Sequence, residues 1–393
     1  MTQTTSSSAN ISDGIHSMVP REAMCPEAIL DRDIYEKTPN ARIPQREFGY
    51  YSLEAWREQG LPEGTDLKKE FGFDPGGRCG LGGLGWCEAA FSPDFEEKWI
   101  RDGEGNTEVV QDKAGRHVLL FKGRKNGFMP EYLDHPVKDQ KTWEEDVKWR
   151  LDPTTPERFP KMTERLEKAQ EEAGRGKIIS QGLIGGYMYL RSLMGPEELL
   201  YAFYDEPELL HDCMKTWLEL ADAVISNHQK FVTLDEIFFA EDICYNAGPL
   251  IGPEMIKEFL FPYYQQLISN LKPRQLDPNR HLYVQVDTDG AADTVIDLYK
   301  EGIGMDVMSP FEVASGCDVV EIGREHPDLI MSGGIDKRIL AKGPEAIDLE
   351  LKRIMPVMKK RGGYIPTCDH GVPPEVSLEN YRHYRKRMLE YAL

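Results

Sequence analysis

The sequence predicts an α/β protein built as a (β/α)8, or TIM, barrel, with an N-terminal extension that contains a β-hairpin. Three observations carry this. From residue 176 onward, short apolar runs alternate with amphipathic stretches of helical period, the pattern of a parallel sheet wrapped by helices. No G-x-G-x-x-G follows a strand in that region, which favours a closed barrel over an open dinucleotide-binding sheet. The length of 393 residues fits one barrel with extensions.

Taken in order, the first dozen residues are rich in Ser and Thr and have too few large apolar side chains to offset the entropy of ordering. A mobile N-terminal segment is expected over 1–40. An N-terminal elaboration follows over 41–175, where "EAWREQGLP" reads as helix. "TEVVQDKAGRHVLLFKG" alternates around a glycine-containing turn and reads as the β-hairpin. The span Thr154 to Gly174 opens with capping residues and carries charges at helical spacing, so an exposed helix is expected. The main part of the barrel is assigned to 176–393. There "GKIISQGLIGG", "LDEIFFAEDI", "HLYVQVDTDG", "GMDVMSP", "LIMSGGID" and "GYIPTCDHG" read as strands, with helical patterns such as "GPEMIKEFLFPYYQQLISNLK" between them.

Composition narrows the function. A formal net charge of −20 opposes binding to phosphate backbones or anionic lipid, so nucleic acid and membrane are not expected partners. No apolar run reaches the roughly 18 to 20 residues that span a bilayer, and the N-terminus lacks the basic and apolar regions of a signal peptide. A cytoplasmic location is expected. Seven scattered cysteines without a CxxC read as reduced thiols.

In a parallel barrel, chemistry sits at the carboxyl ends of the strands, and the polar residues that stand out fall there. Asp287 and Asp289 end an apolar strand two residues apart, so both face one side at a spacing of roughly 7 Å. Two acids so close in a partly dry place require either a retained proton or a cation between them. The structural alternative is that Asp289 and Gly290 make a turn and cap the helix from Ala291. His370, in "CDHG", lies at another strand end. Together Asp287, Asp289 and His370 would suit a divalent cation as Lewis acid, or proton transfer. Glu241 and Asp242 are adjacent, so one of them faces the pocket, and Glu241 is the expected acid or base.

Substrate-binding candidates surround this set. Lys337 and Asp336 sit in "SGGIDK", and Arg191 with Tyr187 lies in "GGYMYLRSLMG". Lys337 would reach an anion or pair with Asp336. Arg191 would bind a carboxylate or extend its head to solvent. Trp86 lies in the glycine-rich "RCGLGGLGWCEAAF", which reads as a loop or a lid rather than a phosphate-binding loop, because no Lys-Ser/Thr follows.

The stretch from Gly182 to Leu393 resembles the uroporphyrinogen decarboxylase (URO-D) superfamily through "GLIGGYMYLRSLMG", "GPLIGPEMIKEFLFPYYQQLI", "VQVDTDG", "SGGIDKRIL" and "GGYIPTCDHGVPPEVSLENY". "RIPQREFGYYSLEAWREQGLP" extends the likeness toward the N-terminus. The resemblance implies a (β/α)8 barrel enzyme and one of two chemistries. The decarboxylases hold a tetrapyrrole through arginines of a W-x-M-R-Q-A-G-R motif, which is absent from this chain. Their late His falls on His370. The corrinoid-dependent methyltransferases bind zinc through H-x-C and a late Cys, positions that fall on Asp287, Asp289 and His370, with Cys368 nearby. Aspartates there favour a harder cation than zinc, or none, and an oxygen-linked methyl donor over a thiol. The resemblance therefore implies a demethylating methyltransferase acting between a small methylated substrate and a corrinoid on a partner protein, since no D-x-H-x-x-G cobalamin motif is present. A porphyrin-type decarboxylase is the alternative, and a non-catalytic ligand-binding barrel the second.

Overall fold

The computed structural model describes residues 17–123, 130–158 and 162–392. Its frame is a parallel sheet of seven strands: β1 (Arg78–Gly80), β6 (Ile178–Ile184), β7 (Glu236–Ala240), β10 (Tyr283–Asp287), β11 (Val307–Ser309), β12 (Ile330–Ser332) and β13 (Tyr364–Ile365), hydrogen-bonded in that order. Every neighbouring pair is parallel. Between β1 and β6 in the chain lies a four-stranded antiparallel sheet of β2 (Lys98–Asp102), β3 (Thr107–Gln111), β4 (His117–Phe121) and β5 (Glu131–Asp134). The short strands β8 (Cys244–Tyr245) and β9 (Gly248–Pro249) pair antiparallel after β7.

Helices cover the outer face of the parallel sheet. The longest, Pro207–Gln229, begins with proline at its first turn and buries Leu210, Cys213, Met214, Trp217 and Ile225, a stripe with the three- and four-residue steps of an amphipathic helix. The two faces of the sheet then separate by the period of two. On β7, Phe239 packs against Trp217 and Tyr264 in the helix layer. Glu236, one step out of phase, faces the inner side, where the Ser180 hydroxyl donates to it at 2.7 Å. Gln285 and Ser309 share that inner side, joined by a 3.0 Å hydrogen bond.

The helix Pro26–Tyr35 packs at the amino ends of these strands, where Ile34, Tyr35, Ile178, Val307 and Ile330 form a separate buried cluster. Each such side chain contributes about 1.5–3 kcal/mol of burial. The segment 1–40, expected to be mobile, thus contains a packed helix, because "AILDRDIY" presents Leu30, Ile34 and Tyr35 on one buried side. Residues 1–16 of that expectation lie outside the described residues.

Strand β1 corrects another expectation, since it lies in the glycine-rich stretch read as a loop or lid. Three residues, one of them glycine, give no periodic signal, and the strand exists because β6 supplies its partners, Cys79 opposite Ile179. Gly80 therefore ends a strand, and Gly82 and Gly85 follow it. No helix opens after them, which removes the helix N-terminus that a dinucleotide pyrophosphate needs. Beyond β13 the chain runs beside residues 49–51: the Tyr51 N–H donates to the Val372 carbonyl at 2.9 Å and the Val372 N–H to the Gly49 carbonyl at 2.8 Å. Among the described residues no helix is long and apolar enough to cross a membrane.

Candidate active site at the carboxyl ends of the strands

Strand β10 delivers Asp287 as its last residue, on the inner face with Tyr283 and Gln285. Burial pushes its carboxyl up to about 7. A hydrogen bond from the Ser309 hydroxyl opposes that rise, while the neighbouring Asp289 and Asp242 carboxylates add to it. Past the strand end the chain turns at Gly290, whose φ of +78° and approach to the Tyr245 carbonyl suit glycine alone. Its N–H donates to Glu312 Oε2 at 3.0 Å. Asp289 caps no helix: the residue before the following helical turn is Ala291, which has no side-chain cap. Instead Asp289 Oδ2 stands 3.5 Å from His370 Nε2.

His370 follows β13, its ring stacked on Tyr51 with centroids 5.9 Å apart and tilted against Phe48 at 5.0 Å. The hydrogen bond to Asp289 lifts the imidazole above its ordinary range against the opposing effect of burial. Two further ion pairs border the group. Arg191 pairs with Asp242, and Lys337 Nζ donates to Glu312 Oε1 at 2.9 Å. The Tyr187 hydroxyl is buried near Arg191 and Asp242 with no hydrogen-bond partner among the described residues.

Glu241 does not belong to this group. It lies on the same side of β7 as Ile237 and Phe239, fully buried, where Tyr264 donates to Oε2 and the Tyr187 N–H to Oε1 at 3.3 Å. Burial lifts its carboxyl to about 7 as well. Beside it Asp242 adopts a left-handed backbone (φ +45°) and stands in the group with Arg191, Asp289 and His370. Asp336 is also committed elsewhere: it caps the helix Lys337–Leu340 and binds the Arg338 guanidinium. Trp86 is half-exposed and stacks on Phe238 of β7 at 5.0 Å and 11°, an apolar wall on the inner side.

The four expected metal ligands do not form a ligand set. Cys368 is fully buried, its thiol beside Asp369 at 3.9 Å, and the Glu47 carboxylate accepts its N–H. Among the described residues no three His, Cys, Asp or Glu side chains are grouped to hold a metal ion. What the geometry offers is one neutral-range acid, Asp287, beside an acid–imidazole pair and two neutralised cations.

Sequence reasoning missed the residues beneath Asp287, namely Ser309, Gln285, Arg78 and Glu236. Only their parity with Asp287 on paired strands marks them.

Comparison with known proteins places these features in context. The uroporphyrinogen decarboxylase (URO-D) family profile matches residues 127–391. A uroporphyrinogen decarboxylase of Geobacter metallireducens is 30% identical over 141 residues, 35% of this chain and 37% of that protein. That of Alcanivorax borkumensis is 27% identical over 200 residues, 48% and 50% of the two chains. The match thus spans half or less of these curated relatives. A methyltransferase from Methanosarcina mazei has a similar structure, with a TM-score of 0.57 and 14% identity over 93% of this chain and 99% of that one. That likeness concerns the fold.

Proposed function

The chain belongs to the uroporphyrinogen decarboxylase family, and from that premise we propose that it moves a methyl group from a small oxygen-linked donor to a corrinoid carried by a separate protein. We also take the seven parallel strands as the frame of a TIM-type barrel, with residues 47–51 lying in the place between β13 and β1.

One observation carries the functional reading: Asp287 is a buried carboxyl at the mouth that keeps its proton up to about pH 7. Such an acid is matched to protonating a leaving oxygen near neutrality. As the methyl–oxygen bond breaks, Asp287 gives its proton to the departing oxygen and is left as a carboxylate. The Asp289–His370 pair stands within electrostatic reach, and its imidazole favours the carboxylate left on Asp287. The corrinoid supplies the methyl acceptor. No step is assigned to a metal, because the residues are not arranged to hold one. Trp86 and Phe238 offer an apolar wall to a neutral substrate, and the Tyr187 hydroxyl offers it a polar contact.

Decarboxylation of a porphyrin-type substrate is the second reading, favoured by the name the curated relatives carry. Arg191 and Lys337 are each already paired with an acid, so they are poorly placed to hold a polycarboxylate. The test is to incubate the protein with methylated phenols and reduced cobalamin and follow methylcobalamin by absorbance, beside release of CO2 from uroporphyrinogen. Methyl transfer that falls by about 10²–10⁴ in Asp287→Asn supports the reading. CO2 release without methyl transfer replaces it with the second. Binding without either reaction leaves a ligand-binding barrel.

A further inference from the structure

Beneath Asp287, polar side chains from five successive strands of the sheet, β1, β6, β7, β10 and β11, form one connected network across the inner face. Arg78 on β1 pairs with Glu236 on β7, a fully buried carboxylate that also accepts from the Tyr35 and Ser180 hydroxyls. The same guanidinium donates to Gln285 Oε1 at 3.3 Å. Gln285 Nε2 donates to the Ser309 hydroxyl oxygen at 3.0 Å, and Ser309 donates to Asp287 Oδ2.

The direction of the links from Arg78 through Gln285 to Ser309 is fixed by chemistry. A guanidinium only donates, so the oxygen of the Gln285 amide must face Arg78 and its NH2 must face Ser309. A serine hydroxyl has one proton. Its oxygen accepts from Gln285 Nε2, and the proton is directed at Asp287 Oδ2.

We propose that Arg78, Gln285 and Ser309 are positioning residues that hold Oδ2 of Asp287 as an acceptor and so assign Oδ1 as its reactive oxygen, turned to the mouth where Asp242, Asp289 and His370 stand. Glu236 anchors the far end by fixing the guanidinium. The inference deepens the methyl-transfer reading by naming the oxygen that delivers the proton, and it holds for any chemistry at Asp287.

The experiment reads the Asp287 carboxyl directly and requires no turnover. Infrared difference spectra of wild type against Asp287→Asn at pH 5 isolate its C=O band, with circular dichroism confirming the fold of every variant. A carbonyl oxygen that accepts a hydrogen bond absorbs at lower frequency. The band is expected to move up in Ser309→Ala, to return in Ser309→Thr, and to move up by a smaller amount in Gln285→Leu, which does not touch Asp287. A band unmoved in Ser309→Ala would mean that the acid proton sits on Oδ2, and the assignment fails. A shift in Ser309→Ala with none in Gln285→Leu removes Gln285 and Arg78 from the positioning role. Loss of methyl transfer as a function with these shifts intact would overturn the functional reading and leave this one standing.

Discussion

Asp289 and His370 face each other 3.5 Å apart although they follow β10 and β13, strands separated in the sheet by β11 and β12. Flat strands spaced about 4.8 Å apart would put these ends roughly 14 Å from each other. The sheet must therefore curl strongly at this edge, and the pair is a product of that curvature. Replacing Asp289 by Asn removes the group that lifts His370, so the imidazole pKa should fall toward its ordinary value. Proton NMR titration of the His370 ring in wild type and Asp289→Asn measures it; an unchanged midpoint would show that the pair is not formed.

Asp287 makes stability depend on pH with a definite sign. The folded protein binds this proton more tightly than the unfolded chain, with a pKa of about 7 against 3.8. Its contribution is therefore full below pH 4 and is lost as pH rises through 7. Asp287→Asn, which keeps the shape without the charge, should be more stable than wild type at pH 8, by up to about 4 kcal/mol. Urea denaturation at pH 5 and pH 8 checks this, and equal differences at the two values would contradict it.

Glu241 should separate stability from turnover. Its carboxyl accepts from Tyr264 and from the Tyr187 N–H, and cutting it back to Ala leaves those donors buried and unpaired, at a cost of about 2–4 kcal/mol. The folded fraction should nevertheless keep its activity, whereas Asp242→Asn should lower activity with a smaller loss of stability. Thermal melts beside rate measurements per folded molecule distinguish the two residues.

These contrasts show what was legible in the sequence. The alternation of apolar runs and helical stretches exposed the parallel sheet from β6 to β13, and the crowding of Asp287 with Asp289 at a strand end marked the place where His370 and Asp242 also gather. The inward or outward sense of each strand was not legible. In β7 Phe238 and Phe239 fall on opposite faces and both faces are largely buried, so "EIFFAED" gives no alternation to say which phase looks inward. Glu241 and Asp242 were exchanged for that reason. Ser309, Gln285 and Arg78 are ordinary polar residues in short strands, and only register makes them neighbours of Asp287. Strand β1 left no mark because its three residues owe their form to β6.

Gly290 should tolerate no side chain. A Cβ there would sit 2.5 Å from the Tyr245 carbonyl oxygen on a backbone at φ +78°. Gly290→Ala should cost about 1–3 kcal/mol and displace Asp289 and the bond to Glu312. Denaturant melts and the His370 titration should report both effects together.

The contact between residues 47–51 and 368–372 also sets an order of events during synthesis. Glu47, Gly49 and Tyr51 take their partners from Cys368 and Val372, which leave the ribosome more than three hundred residues later. Until then the nascent chain carries Asp287 and Asp289 without His370, and residues 47–51 without these partners. The mouth cannot be completed before His370 is synthesised, and truncated translation products would expose the unpaired backbone of residues 47–51 to chaperones or aggregation.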